Sequence, residues 1–124
     1  MRYMMFIKHT EDYRGKEIPA GLMEAMGEFV GEYMKQGKIV DTNGLKSSHS
    51  AKRVQLRGGK LRVIDGPFTE TKELVGGYAI VEVESDAEAL DIATRFMDLH
   101  RIHWPDFEGE SELRPIETGA PGSE

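Results

Sequence analysis

Residues 52–64 read KRVQLRGGKLRVI. Two runs of alternating polar and apolar residues flank Gly58-Gly59. Adjacent glycines suit a two-residue turn of the primed type, in which both central residues take positive φ. Such a turn sets the register. Arg57 faces Lys60, Leu56 faces Leu61, Gln55 faces Arg62 and Val54 faces Val63. Val54, Leu56, Leu61 and Val63 then share one face, and Arg53, Arg57, Lys60 and Arg62 share the other. The hairpin decides the fold, because what remains when it is set aside is a regular alternation of elements.

Upstream, residues 3 to 7 are all apolar or aromatic, and Tyr3 to His9 reads as a strand covered on both faces. The polar loop TEDYRGKEI leads to Pro19, a favoured helix start. Apolar residues at 22, 23, 26, 29, 30, 33 and 34 keep helical spacing, with Glu24, Glu28, Glu32 and Lys35 opposite and Gly37 as the stop. Met23, Met26 and Met34 read as core filler, with a Met-rich binding surface as the alternative. A second strand is expected over Lys38 to Leu45, broken locally at Asn43-Gly44, and KSSHS is a loop.

Downstream, GGYAIVEV makes another strand covered on both faces. Ser85, with Glu88 three residues on, forms a capping-box pattern at the head of a second helix. Leu90, Ala93, Phe96 and Met97 form its apolar stripe, with Ile92 beside them. Pro105 disfavours helix at the residue before it, so this helix is expected to give way near His100 to Trp104. A last strand falls within ESELRPIE.

Without the hairpin the order is βαββαβ, the ferredoxin-like split βαβ unit. The expected fold is α+β: an antiparallel sheet with two helices on one face and an inserted β-hairpin. The first and third strands of that unit lie in mid-sheet, and these are the two unbroken apolar runs. Helices on one face leave the other with apolar side chains in water. A second copy packing sheet against sheet, with C2 symmetry, is the expected remedy. The inserted hairpin is a rival cover, though a small one. Residues 1–117 are expected as a single domain and 118–124 as a C-terminal tail.

At 124 residues, 39% apolar and 31% charged, the chain fits a globular protein. A net charge of -6 makes nucleic acid an unlikely partner. Cysteine is absent, which removes disulfides, thiolate ligands and a Cys nucleophile, and fits a reducing cytoplasm. No apolar run approaches the length of a membrane span or a secretory signal, so no membrane association is expected.

DGPFTETKE at 65–73, followed by GGYAIVEV, resembles the signature of the YCII-related family in its DGPF branch. HRIHWPDFEGESELRPIE resembles the way some members of that branch end. The resemblance runs from the first strand to about residue 117. It implies a ferredoxin-like fold assembled as a dimeric α+β barrel, in a family with many uncharacterised members. Fold relatives include muconolactone isomerase and heme-handling or quinol-oxidising monooxygenases. The DGPF branch is often found with extracytoplasmic-function sigma factors, which points to regulation. The YCII branch is thought to use a His and an Asp. Asp65 is the Asp of the DGPF motif here.

Two functions follow as expectations. The first is a small-molecule enzyme or binding protein with a cavity near the dimer interface. There Asp65 and His9 serve as an acid–base pair, each at the end of its strand. Phe68, Lys72, Arg53, Arg62 and Trp104 are the expected ligand-binding residues. The second is a non-catalytic regulatory or interaction module, in which the basic hairpin face of Lys52, Arg53, Arg57, Lys60 and Arg62 docks an acidic partner. Against each stands a plainer reading. Asp65-Gly66-Pro67-Phe68 is a chain reversal with an anchored ring, His9 is a packed strand-end residue, Trp104 is an interface anchor, and the basic face is solvated. His100, His103 and Asp106 have partial metal-ligand spacing, but Pro105 argues against one continuous helix and no metal is expected. No cofactor fingerprint is present.

Overall fold

The computed structural model describes residues 1–10 and 17–117. The central part of the TEDYRGKEI loop and the expected tail at 118–124 lie outside the described residues. The elements are β1 (Arg2–His9), α1 (Ala20–Lys35), β2 (Ile39–Gly44), β3 (Lys52–Arg57), β4 (Lys60–Asp65), β5 (Leu74–Glu82), α2 (Asp86–His103) and β6 (Gly109–Pro115). Four strands form an antiparallel sheet in the order β2-β5-β1-β6, and β3-β4 form a separate ribbon. This is the ferredoxin-like α+β arrangement, with β1 and β5 in the middle and the hairpin inserted between β2 and β5.

Local chemistry accounts for the element ends. Gly58 and Gly59 have φ of 55° and 77°, as a primed turn requires. The observed pairs Arg57↔Lys60, Leu56↔Leu61, Gln55↔Arg62 and Val54↔Val63 follow from that turn. Gly37, at φ 73°, closes α1. Its N–H bonds to the Met34 carbonyl, and that of Lys38 to the Tyr33 carbonyl, which is a Schellman ending. Ser85 caps α2, its Oγ accepting from the Glu88 N–H at 3.1 Å.

The core lies between the sheet and the helices. Tyr3, Met5, Ala79 and Val81 point from β1 and β5 towards Ala89, Ile92 and Ala93 of α2. Phe29, Val30, Tyr33 and Phe96 pack against this cluster while partly exposed. Alternation puts Met4, Phe6, Tyr78 and Ile80 on the opposite, outer face, where they are partly covered.

Helix α2 gives way where expected, ending at His103, because Pro105 restricts Trp104, which leaves the helical region at φ -143° and ψ 71°. His100 and His103 therefore both sit in the last helical turn. Two expectations change. First, α1 buries only Leu22 fully. Met23 is 54% exposed and Met34 43%, so neither is core filler. Second, the hairpin does not cover its own sheet. Its apolar residues Val54, Leu56, Leu61 and Val63 face solvent at 62–73% exposure. Arg53, Gln55 and Ile64, on the other face, are the half-buried ones.

Candidate functional site

Loose seating of α1 and a stretch of sheet without side chains together produce a cavity. In β5 the sequence VGGYA places Gly76, Gly77 and Ala79 along one run of the sheet. Opposite them, α1 contributes Leu22 and Met26, and α2 contributes Phe96 and His100. This open-sided space is about 350 Å³, a small-ligand volume. Thr42 and Asn43 reach its edge from β2. Among the described lining residues there is no Asp, Glu, Lys or Arg.

Two imidazoles sit on this cavity. His9 ends β1, and its ring occupies the room left by Gly76, where a Cβ would overlap Nε2. The Nδ1 of His9 lies 2.6 Å from the Thr10 carbonyl oxygen. A carbonyl only accepts, so Nδ1 carries the proton there and Nε2 is the basic nitrogen. His100 repeats the pattern from α2. Its Nδ1 donates to the Phe96 carbonyl at 3.1 Å, which again leaves Nε2 as the lone-pair nitrogen. Phe107 stands against both rings, with centroids 5.8 Å from His9 and 4.9 Å from His100. Trp104 packs on Phe107 at 5.3 Å and lines the same cavity.

His100 is 7% exposed. Burial pushes its imidazole below the ordinary 6.5; the Phe96 carbonyl opposes this, and a charge on nearby His9 adds to it. A charge on His9 thus disfavours protonation of His100. The arrangement sets two imidazoles on one cavity, and burial favours the neutral form of His100.

The other residues singled out from the sequence lie elsewhere. Asp65 ends β4 and pairs with Lys52 at 2.6 Å. Both side chains are about 70% exposed, at 71% and 69%. Asp65 does not line the cavity, and the structure does not set it beside His9. The DGPF segment is built as a reversal. Gly66 is pressed against the Ser48 carbonyl, with no room for a Cβ, and its N–H bonds to the Ala51 carbonyl at 2.8 Å. Phe68 is buried, its N–H donating to Ser48 Oγ at 3.0 Å. The Arg53 guanidinium covers the Phe68 ring at 3.7 Å and bonds to Glu70 and Thr71. A hydrogen bond from its own backbone N–H, followed by that from Arg53, holds the Glu70 carboxyl below the usual range. Arg62 and Lys72 are exposed. Of the expected site residues, the structure brings His9 and Trp104 to one cavity and gathers Phe68 and Arg53 at the hairpin base.

His103 does not join His100. Its ring approaches Gly21 of α1, 3.3 Å from where a Cβ would stand. Among the described residues, no three His, Asp or Glu side chains gather to hold a metal ion.

Sequence reasoning missed His100 as a cavity residue because Pro105 argued against the helix that carries it. It also read Gly76-Gly77 only as the start of a strand. A glycine pair entering a central strand signals close approach by another group, and that group is His9.

The family model of the YCII-related domain matches residues 1–96. That span includes His9 and the glycine pair, while His100, Trp104 and Phe107 follow it. An uncharacterised protein of Rhizobium meliloti (strain 1021) is 31% identical over 107 residues, which is 86% of this chain and 82% of that protein. On both grounds, this chain belongs to the YCII-related family.

Proposed function

We propose that this protein binds a small, uncharged, largely apolar molecule in the cavity beneath α1, and that His9 and His100 exchange a proton with it. The observation that carries this reading is two imidazoles, each with Nδ1 engaged by a backbone carbonyl, on one cavity of about 350 Å³. Without a fixed cation among the described lining residues, a carboxylate or phosphate loses its hydration and gains no partner. A weakly acidic hydroxyl, such as that of a phenol or an enol, suits a neutral imidazole as acceptor. Proton abstraction or isomerisation is the matching reaction class, with Trp104 and Phe107 as flat walls for a ring.

Calorimetry with a panel of simple phenols and the matching benzoates tests this. Phenols are expected to bind and benzoates to bind at least tenfold more weakly. Ala79→Leu, which fills the cavity floor, is expected to abolish the heat. Binding unchanged by Ala79→Leu contradicts the reading.

A homodimer is part of the same proposal. Met4, Phe6, Tyr78 and Ile80 lie on the sheet face opposite the helices, and a second copy supplies a cover for them. The regulatory alternative draws support from the hairpin, whose Arg57, Lys60 and Arg62 are exposed.

A further inference from the structure

Strand β2 does not keep its alternation. Ile39 pairs with Val81, and both are buried in the core. The next pair is Asp41↔Ile80, so Val40 is an extra residue, a β-bulge. Regular alternation from Ile39 would turn Asp41 and Asn43 to the helix side. The bulge reverses this. Thr42 stands opposite Ala79, which is 2% exposed, and shares its inner face. Asp41 and Asn43 go to the outer face, where the Tyr78 hydroxyl donates to Asp41 and accepts from Asn43. One added residue thus takes a carboxylate away from the cavity and puts Thr42 on its wall.

The Thr42 hydroxyl is committed in one direction. Its Oγ1 donates to the Tyr78 carbonyl at 2.8 Å. A hydroxyl has one proton and two lone pairs, so what Thr42 offers the cavity is an acceptor. The imidazoles hold the other end. His9 Nε2 lies where a Cβ of Gly76 would stand. From Gly76 to Ala79 is about 10 Å along β5, and Thr42 is about 4.8 Å across, so the two ends lie roughly 11 Å apart. An apolar cavity of about 150 Å³ takes a single benzene ring, and this one measures about 350 Å³.

We propose that Thr42 is a specificity residue of this cavity. Its ligand is a flat two-ring molecule with a hydroxyl at the imidazole end and a hydrogen-bond donor, N–H or O–H, at the Thr42 end. This rests on the cavity reading given above and adds to it the size of the ligand and its second polar group. A ligand with an acceptor at the far end faces the Thr42 lone pairs, or takes the hydroxyl proton at the expense of the Tyr78 carbonyl.

The test is calorimetry of the full chain with two probes of one shape. 5-Hydroxyindole carries an N–H where 5-hydroxybenzofuran carries a ring oxygen. The wild type is expected to bind 5-hydroxyindole at least fivefold more tightly. Thr42→Val keeps the branched shape and removes the lone pairs, and is expected to bring the two probes within twofold. Thr42→Ala is expected to do the same, and Thr42→Ser, which keeps the hydroxyl, retains the preference. Equal binding of the two probes by the wild type overturns the role of Thr42 and leaves the cavity reading intact. So does a preference that survives both Thr42→Val and Thr42→Ala. Binding of phenol without either two-ring probe overturns the two-ring ligand alone. No binding of phenol or of either probe overturns the cavity reading and this inference together.

Discussion

At the scale of single residues, His9 and His100 owe their chemistry to what surrounds them. Gly76 makes room for the first and the last turn of α2 carries the second. Burial, the leading cause, lowers the pKa of His100 below 6.5. The folded state therefore holds fewer protons than the unfolded state when pH falls below that value. Stability contributed by neutral His100 is complete above about pH 6.5 and is lost as pH falls towards its lowered value. Denaturant unfolding at a series of pH values is expected to show this slope. His100→Phe is expected to reduce it, and a slope unchanged by that substitution contradicts the role given to burial. Asp65 shows the opposite case. Its chemistry looked promising in sequence, but the structure leaves its carboxylate exposed and engaged by Lys52.

At the scale of elements, most of the fold was legible because local rules and tertiary packing agree. The hairpin register, the Gly37 stop and the Ser85 cap each follow from a few adjacent residues. Ser85→Ala is expected to cost about 1 kcal/mol in unfolding free energy, the usual loss for a side-chain cap. A change below a few tenths in the same measurement removes the cap from the account. Other features were not legible because they depend on distant partners. Residue pattern assigns Val54, Leu56, Leu61 and Val63 to one face but does not say which face the protein turns outward. Helical spacing puts Met23 and Met26 on the apolar side of α1 without revealing that they overhang a cavity. The DGPF segment read correctly as a reversal, yet its anchor Ser48 opens a short 3₁₀ turn, Ser48–Ser50, that no sequence pattern marks.

At the scale of the whole molecule, the ferredoxin-like arrangement separates two faces of the sheet. The helix side holds the cavity and its imidazoles, and the outer side carries Met4, Phe6, Tyr78 and Ile80, partly covered. The central claim is that the cavity takes a small uncharged ligand at its paired imidazoles. The most direct test follows the ring C2–H signals of the four histidines by NMR while a simple phenol is added. His9 and His100 line the cavity, while His49 and His103 do not and act as internal controls. The account predicts that His9 and His100 shift together along one binding curve while the other two stay still. Movement confined to His49 and His103, or none at any histidine, contradicts it.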